Sequence, residues 1–478
     1  MEFLAFIAAL IALVWGTALV RRGGVLAASM LVLVSGIVFG PPFFSLPGGP
    51  MPITIDRVLL GLLVVMYAVY RKLGWIEARP TTAADAVLLT LIGVLAMSVF
   101  SHDWKINRSQ PLSYLVFLWL MPQALYWVVR HVEFTERRLR WVFATFAVLG
   151  IYLAITAVFE AKYKWSMVYP RYIVSPQFKE WLGRGRGPLL NPAGNGILMT
   201  ICLACGLMSW PRFGQFGKLL LACVFTPVML LGVYCTLTRS AWMGVASAMV
   251  LLMAIYLPRQ WRMPTIVTVL LVSLFTAAAN WDHLLAFKRD KNLTAADAAD
   301  SASLRPILAY VAAKMFVDRP VAGCGLGQYA QASLPYLADR SIDLPVAKVE
   351  PYVQHNAVLS LLVETGLLGA VAYVLLIALW VREAWRLWRS EDVPQWQRQA
   401  GLVFLMALAG YLPNAMFQDT TIIPMANMLM FFLAALVLNL RKMPIEERAA
   451  PRPTAAGRGL ATDVEQDWFG EPRSLEHV

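Results

Sequence analysis

Charge is what this chain has little of. Of its 478 residues only 15% are charged and 59% are hydrophobic, and mean hydropathy is +0.61. A soluble domain carries about a quarter charged residues, so a water-facing surface is excluded over most of the length. Apolar runs of about twenty residues recur from end to end, each long enough to cross a hydrocarbon core of roughly 30 Å. The short alternating strands of a membrane barrel are missing. The chain therefore reads as an all-α polytopic integral membrane protein with little mass outside the bilayer.

Cysteine is scarce too, with five residues. Cys202, Cys205, Cys223 and Cys235 lie in apolar segments. The C-x-x-C spacing of the first two puts them on one helix face, which reads as small-residue packing rather than redox or metal chemistry. Cys324 has no evident disulfide partner. No His/Asp/Glu cluster with ligand spacing occurs on the outward connections, so neither a metal nor a cofactor is expected. Net charge is +12, but most of the bases flank apolar segments as topology signals. The lipid bilayer is thus an expected partner and nucleic acid is not. The first apolar run lacks a basic start and a small-x-small cleavage site, and is expected to be retained as a helix. No internal repeat is visible, which weakens an inverted-repeat transporter.

Hydropathy predicts about thirteen spans, at 3–20, 25–40, 55–70, 84–100, 111–129, 141–160, 190–208, 218–236, 240–257, 264–280, 356–380, 400–417 and 422–440. If the first does not cross, the number is twelve. Arg21-Arg22, Arg71-Lys72-Arg79, Arg130 with Arg137, Arg138 and Arg140, Arg212 with Lys218, and Arg259 with Arg262 fall on alternate connections, as do Arg382 through Arg398 and Arg441-Lys442. That side is predicted to be cytoplasmic. The transmembrane body covers 1–440, and 441–478, mixed in charge and rich in Pro, Ala and Gly, is expected to be a flexible cytoplasmic tail.

Two outward connections stand apart. The larger, 281–355, can hold a small extramembrane domain. Within it Ser301–Phe316 is predicted to be a helix capped by Ser303, with Leu304, Leu308 and Val311 on one face, ended by the turn Asp318-Arg319-Pro320. The shorter, 161–188, carries Lys162, Lys164, Arg171, Lys179, Arg184 and Arg186 against Glu180 and, just before it, Glu160. A short basic loop on the outer side runs against the positive-inside rule, which points to an anion-binding role or to attraction by lipid headgroups.

Several residues can carry chemistry. Arg186 lies in GRGRGPLLNPAGN, where glycines let the backbone approach a ligand and a guanidinium fork fits phosphate oxygens; a re-entry turn with an interfacial arginine is the alternative. Arg239, in TLTRSAWMG, is pinned between two apolar helices, where an arginine is costly unless solvated or paired; a snorkelling side chain is the alternative. Arg305 begins the loop helix. Gly323, Gly325 and Gly327 in GCGLGQY follow no strand, so a tight turn is expected rather than a dinucleotide loop. Pro122 and Pro227 can break helices. Of five histidines, His131 and His477 are predicted cytoplasmic, and His102 and His283 lie in ordinary loop sequence. Only His355 stands where a polar loop meets an apolar helix, beside Asn356. Near-neutral titration suits histidine to taking a hydroxyl proton. Glu364, at membrane depth in the same helix, must find a partner; pairing with a neighbouring helix is expected.

Four blocks, GRGRGPLLNPAGNG, TLTRSAWMGV, SASLRPILAYVAAKMFVDRPVAGCGLGQY and QHNAVLSLLVETGLLG, span roughly 184–370. In order and spacing they resemble the O-antigen ligase and polysaccharide polymerase superfamily of bacterial membrane glycan transferases. That resemblance implies a GT-C-like helical fold with one large periplasmic loop and a metal-independent glycosyltransferase in the bacterial inner membrane. The implied donor is a glycan on undecaprenyl pyrophosphate, and the implied acceptor lipid A-core or a growing polysaccharide. By the same resemblance His355 and Arg239 are catalytic, and Arg184 or Arg186, Arg305 and Asn356 bind substrate. A ligase is the first expectation and a polymerase the second. A transporter or flippase of a lipid-linked glycan is the rival from another class.

Overall fold

The computed structural model describes residues 2–46, 53–103, 111–279, 295–338, 345–350 and 355–441. His283, and the tail expected beyond Arg441 with His477, lie outside the described residues. Among those described, the long helices in chain order are α1 (Glu2–Val38), α2 (Ile55–Lys72), α3 (Ala83–Phe100), α4 (Pro111–Arg130), α5 (Glu136–Ala161), α6 (Pro192–Leu207) and α7 (Gln215–Cys235). They continue with α8 (Arg239–Tyr256), α9 (Arg259–Ala279), α10 (Ala295–Asp318), α11 (Ala357–Arg389), α12 (Gln395–Phe417) and α13 (Pro424–Arg441). A two-residue antiparallel ladder, Ser45–Leu46 with Ile53–Thr54, is the sheet they accompany. The protein is all-helical and polytopic, and ten helices among the described residues are long and apolar enough to cross a membrane.

The expected spans 3–20 and 25–40 are the two arms of α1. Gly24 breaks it at φ 59° and ψ −150°. A Cβ on Gly16 would meet Leu31 Cδ2 at 3.8 Å, so the arms fold back on one another. The helix α2 falls outside the ten because Asp56, Arg57, Arg71 and Lys72 crowd its ends. The loop helix α10 begins at Ala295, ahead of the expected start, so Ser303 lies within it and is no cap; the alanine-rich stretch before it favours helix. Leu308 and Val311 are buried on one face of α10, with Leu304 packed against them.

Pro122 and Pro227 do not break their helices. A π-helical stretch precedes each, Leu115–Leu120 in α4 and Leu221–Phe225 in α7. Proline lacks an N–H and crowds the carbonyl four residues back. Widening the helix there absorbs the misfit, and Thr226 Oγ1 donates to the Leu221 carbonyl at 2.8 Å.

The centre of the bundle is α6, α12 and α13, whose residues are mostly buried. Around them α4 packs on α13, α8 and α11 on α12, α3 on α11, and α5 on α6 and α7. Membrane helices gain little from hydrophobic exclusion and associate through close contact of small residues. Cys202 and Cys205 are free and fully buried, and a Cβ on Gly150 would lie 2.5 Å from that of Cys202. These cysteines are packing residues between α5 and α6.

One polar cluster locks α3, α4 and α13 together. Thr82 and Asp85 form a reciprocal capping box at the start of α3. The Asp85 carboxylate also accepts from Arg130 Nη2 at 2.9 Å, from Arg130 Nε at 3.2 Å and from the Tyr126 hydroxyl at 2.5 Å. Asn439 Nδ2 donates to the carbonyls of Val129, Arg130 and Val132 where α4 ends. Arg130 is thus a buried structural cation, 1% exposed, and no surface topology charge. Removing one partner of a buried pair strands the other charge, at a cost of about 3–5 kcal/mol. Arg130→Ala is therefore expected to lower the thermal unfolding temperature of the purified protein markedly, whereas Arg137→Ala, at an exposed position, leaves it nearly unchanged.

Candidate functional site

Two groups of arginines behave differently. The 161–190 connection is wrapped around Arg186, whose side chain is fully buried. Its Nη1 donates to the carbonyls of Phe178, at 2.6 Å, and Glu180, and its Nη2 to that of Ile173. Its Nε lies 3.9 Å from Glu160 Oε2, while Glu160 Oε1 accepts the Gly187 N–H at 2.8 Å. Arg184 is buried as well. It donates through Nε to the Thr236 carbonyl at 3.3 Å and through Nη2 to Thr238 Oγ1 at 2.7 Å, closing the corner between α7 and α8. Arg171 stacks on Tyr169, 4.4 Å from the ring centre, and donates to the Trp165 carbonyl at 2.8 Å.

Arg184 and Arg186, expected to bind substrate, are bonded within the protein here, Arg186 to three backbone carbonyls and Arg184 to the Thr236 carbonyl and the Thr238 hydroxyl. These bonds also account for the basic excess of the loop. Half of its cations are internal donors that hold irregular backbone together, and Lys162, Lys164 and Lys179 are exposed.

The second group lies where α8, α10, α11 and α12 meet. Arg239 is the first residue of α8 and Arg305 lies in α10; both are half-buried. Arg305 holds its guanidinium 5.6 Å from the ring centre of Phe417, the last residue of α12. Burial lowers its pKa, and the positive charge of Arg239 lowers it further. Two cations are thus brought together in a partly dehydrated place. Beside them Asn356 Nδ2 donates to the Met416 carbonyl at 3.1 Å. Asn356 Oδ1 accepts the N–H groups of Val358 and Leu359 at 2.9 and 3.0 Å, capping α11. The amide oxygen caps the helix start and the amide nitrogen ties it to the end of α12, which fixes the backbone beside His355. His355, immediately before the cap, is exposed.

Glu364 explains how the large loop is held to this site. Its carboxylate is buried and accepts the backbone N–H groups of Gly327 and Tyr329. The expectation of a partner on a neighbouring helix is corrected: the partner is the glycine turn. Cys324 and Gly325 donate their N–H groups to the carbonyls of Val363 and Glu364 at 2.8 and 2.9 Å, and Leu367 donates to that of Pro320 at 2.8 Å. This close pairing requires glycine on both sides. Gly366 interrupts α11 at φ 64°, and a Cβ there would strike the Val321 carbonyl. A Cβ on Gly323, at φ 71°, would lie 2.5 Å from the Glu364 carbonyl carbon.

Sequence reasoning passed over Phe417 and Asp419. Asp419 is buried, accepts the Thr421 N–H at 3.0 Å and is bonded by Ser360 of α11, which ties the end of α12 to the helix behind His355. Burial raises its pKa above the ordinary carboxylate range. An acid in a four-residue polar turn between two spans carries no signal that separates it from a solvated turn. His102 was likewise set aside as ordinary loop sequence, yet its ring packs over Gly325.

Fold and site together define a polytopic helical membrane protein in which Arg305 of the large loop lies near Arg239 at the start of α8, with His355 and Asn356 at the start of α11. Residues 222–374 match the family model described as O-antigen ligase, in line with the resemblance of the four sequence blocks to that superfamily. The Arg239, Arg305 and His355 blocks fall inside the match, and the Arg184–Arg186 block lies before it. No curated protein matches the chain.

The two arginine groups predict different losses. Arg186→Ala leaves three backbone carbonyls without their donor, so cleavage of the 161–190 connection by protease should rise and unfolding temperature fall. Gly366→Ala should detach the loop, exposing 321–338 to limited proteolysis. Arg239→Lys should change neither stability nor protease pattern.

Proposed function

We propose that this protein is an O-antigen ligase-like, metal-independent glycosyltransferase that moves a glycan from undecaprenyl pyrophosphate to an acceptor hydroxyl. The reaction would take place at the periplasmic face of the bacterial inner membrane, in lipopolysaccharide or surface polysaccharide synthesis. The observation that carries the reading is the pairing of Arg239 with Arg305. Both guanidinium groups are half-buried, and the charge of Arg239 lowers the pKa of Arg305, an arrangement that suits a dianion. A pyrophosphate satisfies both forks, and its negative charge grows as it departs. Donors fixed where charge develops stabilise the transition state without reorganising.

In the proposed step His355 accepts the proton of the acceptor hydroxyl as that oxygen attacks the anomeric carbon. The anomeric carbon–oxygen bond to the pyrophosphate breaks, and its electron pair leaves on undecaprenyl pyrophosphate, held by Arg239 and Arg305. Asn356, through its cap and its bond to Met416, keeps His355 at the mouth. Phe417, under the Arg305 guanidinium, keeps that fork from turning away. The family match over 222–374 supports this reading because it includes all three reacting side chains.

The test is turnover of reconstituted protein with a lipid-pyrophosphate-linked repeat unit, with and without lipid A-core, followed by mass spectrometry. Transfer to lipid A-core is expected. A ladder of repeats on the donor lipid alone would make the protein a polymerase, and binding without transfer would move the reading to a transporter. His355→Ala should lose about 10²–10⁴-fold in rate while still binding donor; wild-type turnover in that variant sinks its role. Arg239→Lys should fail to transfer, because a point charge does not replace the fork.

A further inference from the structure

Beyond the arginine mouth, the large loop carries a separate cleft of about 1070 Å³. One wall is α10, with Tyr310, Lys314 and Asp318; the other is the 328–338 segment, with Gln328, Gln331 and Tyr336. His102, from the turn after α3, closes one end. At 100° per residue, Tyr310 and Lys314 lie about 140° and 180° around α10 from Arg305, so the cleft and the arginine mouth use different faces of one helix.

The lining mixes apolar side chains, among them Met315, Val317 and Pro335, with polar ones, Arg319 included. Two tyrosine rings present apolar faces with polar ends. Lys314 lies 5.3 Å from the ring centre of Tyr310, and the Tyr336 hydroxyl donates to Asp318 at 2.6 Å. Two carboxamides complete the walls, and charges of both signs are present. A lipid chain would press hydrocarbon on Lys314, Arg319 and the Gln331 amide, with nothing to bond them. A phosphate would call for cations alone, as at Arg239 and Arg305. Rings that offer C–H faces and hydroxyl edges, as sugars do, satisfy aromatic faces, amides and a carboxylate together. The volume exceeds the roughly 300–1,000 Å³ of ordinary small-molecule pockets, which suits more than one sugar ring.

The cleft is also built into the candidate site. Gln328 Nε2 donates to the Asp103 carbonyl at 2.6 Å, bracing its wall on α3. Cys324, in its floor, donates its N–H to Val363 at 2.8 Å. Val363 lies in the short helical segment that begins at Asn356 and ends at the Gly366 break, directly after His355. We propose that this cleft is an oligosaccharide-binding subsite that holds glycan away from the reacting bond. The ligand class follows from the lining; that the glycan is a substrate rests on the transferase reading above.

The experiment is saturation-transfer difference NMR on the full-length protein in phospholipid nanodiscs. The two probes are lipid-free: the repeat-unit oligosaccharide and the core oligosaccharide, each released from the host's polysaccharides. Saturation transfer to one or both is expected. Response of the repeat unit assigns the cleft to donor glycan, and response of the core assigns it to acceptor. Tyr310→Ala and Gln331→Ala should weaken that binding at least about threefold, and Arg239→Ala and His355→Ala should leave it unchanged. Gln331 is exposed, so its variant suffices if Tyr310→Ala does not fold. No transfer to either probe, or an affinity indifferent to Gln331→Ala, overturns the proposal. Binding that persists in a protein without transferase activity keeps the subsite and removes the transferase reading. Transferase activity without such binding does the reverse.

Discussion

The arrangement of the site depends on one buried carboxylate. Glu364 is stranded at membrane depth unless something donates to it, and the donors are the backbone N–H groups of Gly327 and Tyr329. An unsatisfied carboxylate there is too costly to tolerate, so the glycine turn must dock for the bundle to be stable. Docking it fixes the end of α10, and with it the position of Arg305. It also fixes the break at Gly366, from which the short segment runs back to Asn356 and His355. Loop and bundle are therefore one construction with respect to the site.

A second theme is the use of arginine in two opposite ways. Arg130, Arg184 and Arg186 are buried and consumed by carbonyls or a carboxylate. They replace the hydrogen bonds that irregular backbone would otherwise draw from water. Arg239 and Arg305 are half-buried and pushed together. The same side chain acts as scaffold in one place and as receptor in the other. The difference lies in whether the side chain is buried among carbonyl oxygens or left half-exposed at a mouth.

Much of the fold was legible because spanning a bilayer is a matter of composition and length, and both can be read along the chain. The helix over the loop and its apolar face were legible for the same reason, through their period. What pairs with what was not. Arg186 and Arg239 look alike in sequence, each an arginine among glycine or apolar residues at the end of a span. Their roles separate only when the carbonyls of Ile173, Phe178 and Glu180 close on one of them. Glu364 announced a need for a partner but not its identity, since backbone donors leave no mark on the residue letters. Gly24 could have been suspected, because two apolar runs met at Arg21–Gly24 with no loop between them.

The pairing of 320–325 with 363–368 closes a ring in the chain. Gln328 and Asn356 tether the ring further, to Asp103 and Met416, and the cost of closing such a ring grows only slowly with its length. The 328–338 wall of the cleft therefore lies on a part of the chain that can lengthen, shorten or be replaced while the pairing and the arginines stay as they are. A scaffold of this kind separates the evolution of recognition from the evolution of chemistry. New glycan preferences can arise inside the ring without the reacting groups having to be rebuilt.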